Sequence, residues 1–188
     1  MLSGNELGAQ LARRLRYADA LEVSVKLQSR HAFPCPPERY WEMYWSDSFD
    51  AMLMDGATYD REVLEDREEA GGVRVRRIRI TPHQELPSAA ASVLGASRLV
   101  YEQENRFDPA KGEVTWRVVP TILPGKLDAK GSFRIVPTAS GCEQVVDGEI
   151  TVSVRFIGGR IESAVVAEVE KSYTKTAEVG RKWLEANG

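Results

Sequence analysis

Tyr101, Gln103, Asn105 and Phe107 alternate with charged residues along one stretch of the chain, and Trp116 stands between Val114 and Val118 on the next. Period-two spacing collects residues of one parity on one face of a strand. The pattern therefore describes an apolar wall that carries two amides and an indole N–H. Such a wall suits a pocket that orients a small molecule, because amides on an inward face need partners or water. The competing reading is a core these side chains fill solidly. Two further groups have proton chemistry. His31 shares the parity of Leu21, Val23, Val25, Leu27 and Phe33, so it can face the same interior or serve as a hydrogen-bonded structural histidine near a strand end. Glu162 falls early in a long helical segment, where a carboxylate either complements the helix macrodipole or binds and protonates a ligand group.

Catalytic constellations are otherwise missing. The chain has no GxSxG, HExxH, Gly-rich phosphate loop or P-loop lysine. With two histidines, His31 and His83, a histidine-rich metal site cannot be built, and neither a metal nor a cofactor is expected. "VRVRRIRI" places Arg74, Arg76, Arg77 and Arg79 within six residues. Its alternation reads as a solvated outer face with a phase slip at Arg76–Arg77 that suggests a bulge. Contact with anionic lipid headgroups is the alternative. A net charge of −3, from 25 basic and 28 acidic residues, argues against a nucleic-acid partner. No apolar run approaches the ~18 residues that span a bilayer, and no secretory leader is visible, so a cytoplasmic location is expected. Cys35 and Cys142 lie far apart without a CxxC neighbour, which reads as two reduced, free thiols.

These groups need elements to hold them. Residues 1–20 read as a tail or short helix, with Leu7, Leu11 and Leu15 at four-residue spacing. From Leu21 a long strand alternates inward apolar residues with Glu22, Ser24, Lys26, Gln28 and Arg30 outward. "PCPPERYWEMYW" and "SDSFDAMLMDG" then read as two short helices, the first with proline in its first turn, the second with a Ser or Asp cap and a terminal glycine. The middle is strand and turn, with hairpin loops at "DPAKG" and "TASG" and a small-residue connection at "HQELPSAAASVLGA". In "VSVRFIGGRIESAV" the period changes at Gly158–Gly159, and a helix runs to the end. At 100° per residue, Ile161, Val165, Val169, Tyr173, Ala177, Gly180, Trp183 and Leu184 fall within an arc of about 160°. A helix so divided must lie across a sheet.

That order resembles the START-like (SRPBCC) superfamily, whose helix-grip fold is that of the birch pollen allergen. Within it the chain is most similar to a bacterial family of unknown function. The resemblance is carried by "SDSFDAMLMDGATYDREVLE", "ITPHQELPSAAASVLGASRLVYEQENRF" and "GEITVSVRFIGGRIESAVVAEVEKSYTKTAEVGRKWL", and covers residues 21–187 as one ligand-binding domain. It implies an α+β fold in which a strongly curved antiparallel sheet wraps a long C-terminal helix. It also implies a cavity between the two for a hydrophobic or amphipathic small molecule, lipids included, with transient membrane contact as a corollary.

With no catalytic set, a binding or carrier module is preferred over an enzyme, with His31, Tyr101, Gln103, Asn105, Trp116 and Glu162 as the expected ligand-binding residues. One alternative is an enzyme of the polyketide cyclase or dehydratase kind that uses His31, Glu162 and Tyr101. The other is a protein-interaction module like the chaperone-activating relatives. Oligomeric state is left open at this point.

Overall fold

The computed structural model describes residues 23–85, 88, 91, 95–121, 127–152 and 158–188, without side chains at 23, 120, 127, 152 and 158–168. The expected N-terminal tail, most of the small-residue connection and the side chain of Glu162 lie outside the described residues.

Strand β1 (Val23–Phe33) leads to helices α1 (Pro37–Tyr44) and α2 (Asp47–Met54). Proline at the first position of α1 loses no hydrogen bond there, and the Ser46 hydroxyl caps α2 by accepting from the Phe49 amide at 3.2 Å. Strands β2 (Tyr59–Glu68), β3 (Arg74–Pro82), β4 (Tyr101–Asp108), β5 (Glu113–Pro120), β6 (Leu127–Thr138) and β7 (Gly141–Val152) follow, then helix α3 (Gly158–Asn187). All pair antiparallel in one sheet ordered β1-β7-β6-β5-β4-β3-β2. The first strand thus closes onto the last, and α1, α2 and α3 pack on the concave face.

The alternation of β1 fixes its two faces. Leu27 and Phe33 are buried, while Ser24, Gln28 and Arg30 bond across the outer face to Glu149, Asp147 and Glu143. The core gathers Tyr40, Met43 and Phe49 from the short helices, Val114, Trp116, Phe133, Val146 and Ile150 from the sheet, and Ala177, Trp183 and Leu184 from α3. Trp183 also donates its indole N–H to Ser48 at 2.8 Å, tying the end of α3 to α2. Among the described residues, no helix is long and apolar enough to cross a membrane.

One expectation is corrected. The bulge lies in β2, where the register shifts between Val63 and Glu65, whereas β3 pairs with β4 without interruption from Arg74 to Ile80. Arg74 and Arg76 therefore share the inward face with Ile78 and Ile80, and only Arg77 and Arg79 belong to the wet one. On the wet face both bond to Glu102, which they hold below the usual carboxylate range.

Candidate functional site

Strand register assembles the inward wall. Reading across the sheet, Asp66, Arg76, Asn105, Trp116, Gly131, Gly148 and Leu27 occupy one continuous row, each paired with the next. On one side of it runs the row Arg74, Phe107, Val114, Phe133 and Val146. On the other runs Ile78, Gln103, Val118, Ala129 and Ile150. The structure thus brings Gln103, Asn105 and Trp116 together, as the alternation of β4 and β5 requires. Gln103 donates to the Asn105 side-chain oxygen at 2.7 Å.

The Trp116 indole approaches both glycines of its row. A Cβ built on Gly148 would stand 2.9 Å from the indole Cζ2. The ring is 6% exposed, and its N–H has no hydrogen-bond partner among the described residues. The indole N–H of Trp45, at the end of α1, is likewise buried without an acceptor. A buried donor without an acceptor costs roughly 1–3 kcal/mol, so both mark places where an acceptor from outside the chain would be stabilised.

Charge closes one end of the row. Arg76, 7% exposed, donates to Asp66 at 2.8 Å and to Asp50 at 3.2 Å. Arg74 grips Asp66 with two bonds of 2.8 Å, and Arg61 pairs with Asp50 at 3.0 Å. The Asp66 carboxyl is held below its ordinary range chiefly by Arg74, with Arg76 adding to it against the effect of burial. Both Arg74 and Arg76 stack on Trp45, 4.4 and 5.0 Å from its ring centre. The cluster fastens α2 to β2 and β3 and leaves a cationic, aromatic surface beside Asn105. Sequence reasoning missed these arginines because period-two alternation with charged residues reads as a solvent face; Asp50, the signal that would have turned Arg76 inward, sits on another element. Aromatic rings of the short helices complete the wall, with Trp41 4.5 Å from Phe107 and 5.9 Å from Phe133, centre to centre.

The remaining expected site residues lie elsewhere. His31 is paired in register with Gln144, bonds Ser29 at 3.2 Å, and has its pKa lowered by burial and by Arg181, so it is a neutral imidazole at neutral pH. Tyr101 sits on β4, four strands from β1 and eight residues further along the strand direction, roughly 26 Å at 3.3 Å per residue. Glu162 belongs to the start of α3, whereas Arg181, beside His31, belongs to its end, roughly 28 Å away at 1.5 Å per residue. Two of the groups considered for acid–base work, His31 and Tyr101, are therefore not brought together. A hollow of about 250 Å³ lies over the β1–β7 pair, lined by Lys26, Leu27, Gln28, Asp147, Gly148 and Glu149.

Among solved structures, the protein TTHA0849 of Thermus thermophilus superposes with a TM-score of 0.61 at 14% identity, over 87% of this chain and 99% of that one. The Zhui aromatase/cyclase of Streptomyces sp. R1128 gives 0.53 at 14% identity, over 87% and 94%. Norcoclaurine synthase of Thalictrum flavum gives 0.56 at 14% identity, over 87% of each chain. Identities this low establish the fold, the helix-grip arrangement, and nothing about chemistry. No curated protein matches the chain in sequence. A family model described as "Protein of unknown function (DUF2505)" matches residues 28–184.

Proposed function

The chain belongs to the DUF2505 family and has the helix-grip fold of the START-like superfamily, and from that premise we propose that it binds a hydrophobic or amphipathic small molecule between the concave sheet and α3. The observation that carries this reading is the Trp116 indole N–H, buried in an aromatic wall with no acceptor among the described residues. Together with the second unpartnered donor on Trp45 and the arginines at the end of the row, it favours a ligand that presents an oxygen acceptor, a carbonyl or carboxylate, from an apolar body. Lipids with a free carboxyl group meet that description.

The test combines extraction with titration. Protein purified without detergent is analysed by native mass spectrometry before and after organic extraction, then titrated with oleic acid and with the alcohol of the same chain while tryptophan emission is followed. A bound apolar molecule, or saturable binding of the acid in preference to the alcohol, is expected. Trp116→Phe should weaken that binding about fivefold to tenfold, the worth of one hydrogen bond. Failure of extraction and of both titrations overturns the reading.

A further inference from the structure

We infer that Cys35 and Cys142 form a dithiol–disulfide site, open to covalent modification by a peroxide or a small-molecule disulfide. This rests on features separate from the ligand-binding wall. Cys35 lies just after β1 and Cys142 is the second residue of β7. In the β1–β7 ladder Phe33 is paired with Cys142, so the chain leaving β1 passes directly over the start of β7. Gly141 makes that approach possible. Its φ is 144°, and a Cβ there would stand 2.2 Å from the Phe33 carbonyl oxygen and 2.8 Å from the Cys35 nitrogen. The two residues are neighbours in the core: both are buried and both thiols are free.

The pair is chemically unequal. Burial pushes both thiols up, Cys142 to about 12. At Cys35, however, the neighbouring Cys142 thiol and then the positive charge of Arg39 work against burial and favour the thiolate. It is also the more exposed of the two, 7% against 1%. Cys35 is thus the attacking sulfur and Cys142 the resolving one.

With hydrogen peroxide, the Cys35 thiolate forms an S–O bond as the O–O bond breaks, and the departing hydroxide takes up a proton to leave as water. The Cys142 sulfur then attacks the Cys35 sulfenic acid, forming the S–S bond. The displaced oxygen leaves as a second water carrying the Cys142 proton. Two thiols and one peroxide become one disulfide and two waters. With a small-molecule disulfide, Cys35 displaces one thiol, Cys142 displaces the other, and the reagent is reduced to two thiols.

The bond would staple the start of α1 to β7. Helix α1 carries Tyr40, whose hydroxyl accepts from Gln144 on β7, and Trp41, which packs on Phe133 and Phe107. Oxidation therefore restrains the helix that supplies the aromatic side of the wall, and it constrains the unfolded chain through a long loop.

The full-length chain is incubated with hydrogen peroxide and, separately, with oxidised glutathione, then denatured and analysed without reductant. The expected product is a monomer lighter by two hydrogen atoms, with no titratable thiol. Its tryptic peptides 31–39 and 135–155 are joined and are released by dithiothreitol. Its melting temperature should rise by at least about 5 °C. Cys142→Ser should accumulate a dimedone-trapped sulfenic acid or a glutathione adduct on Cys35, while Cys35→Ser should leave Cys142 unmodified. The site is overturned if wild-type protein keeps both thiols when a denatured sample is fully oxidised. It is equally overturned if the cross-link joins two chains, or if Cys35 acquires stable adducts with Cys142 free. The wild-type cross-link does not depend on either variant folding.

Discussion

Trp116 fills the space directly above Gly131: a Cβ added to that glycine would stand 2.6 Å from the indole Cζ2 and 2.4 Å from the Asp147 carbonyl oxygen. The close approach lets a large ring lie against the sheet instead of standing off it. Gly131→Ala must therefore move both the ring and the β7 backbone, a form of overpacking that costs about 2–3 kcal/mol. Gly148→Ala, whose added atom meets the indole at 2.9 Å and the Lys130 carbonyl oxygen at 3.2 Å, should cost less. Urea denaturation of both variants checks the order; equal or neutral effects would show that the wall is loosely packed.

Arg76→Met should destabilise the fold by about 2 kcal/mol. Removing one partner of a fully buried ion pair costs about 3–5 kcal/mol. Here Asp50 and Asp66 are each about a quarter exposed and keep Arg61 and Arg74, so the loss is smaller. The variant should also change the emission of Trp45, on which Arg76 stacks. A variant as stable as wild type would show that the cluster does not hold α2 to the sheet.

Acid should act through depressed carboxylates. Arg74 and then Arg76 hold Asp66 below its ordinary 3.8, and Arg106 and Arg67 hold Glu69 at about 2. A group whose folded pKa is lowered contributes stability that is complete above the unfolded value and lost as pH falls through the folded one. Stability should thus hold down to about pH 5 and decline from there toward pH 2. Asp66→Asn should reduce that slope, as measured by urea midpoints across the range. An unchanged slope counts against the pairing.

Tyr40→Phe should cost about 1–2 kcal/mol. Its hydroxyl is the acceptor for the Gln144 Nε2 at 2.8 Å, and the Gln144 Oε1 is already buried without a partner among the described residues. Removing both polar groups, as in Tyr40→Phe with Gln144→Leu, should recover most of the loss. A double variant worse than the sum of the singles would contradict the pairing.

Helix α3 packs tightly at Gly180, where a Cβ would lie 3.0 Å from Phe33 Cε1 of β1 and 3.1 Å from Met43 Cε of α1. Gly180→Ala should be close to neutral, because a gain of about 1 kcal/mol in helix propensity offsets the shift Met43 must make. Gly180→Val should lose about 3 kcal/mol or more, since two further methyl groups have no room in the packed core. Thermal melts decide; a well-tolerated valine would mean that α3 can lift from the sheet.

Local pattern carried the elements. The strict alternation from Leu21 to Phe33, the helical aromatics of Tyr40 to Trp45 and the change of period at Gly158–Gly159 each report on neighbours within one turn or one pleat. The hairpins at "DPAKG" and "TASG" then fix which strands are adjacent. The grouping of Gln103, Asn105 and Trp116 was legible for the same reason, because a hairpin of known register places one face of β4 opposite one face of β5. His31 was legible only as inward-facing. Its distance from Tyr101 follows from the position of β1 at the far side of the sheet, beside β7.

What remained hidden in the sequence depends on partners distant along the chain. Arg76 alternates like a surface residue and is buried only because Asp50 on α2 and Asp66 on β2 converge on it. Cys35 and Cys142 look unrelated until the last strand closes on the first and Gly141 lets the chain pass within contact. By itself the sequence determined the elements, their faces and the helix-grip order, since these follow from periodicity and turn chemistry. Only the tertiary structure decided which charges are inside and which cysteines are neighbours, because burial and proximity belong to the closed sheet and not to any segment of it.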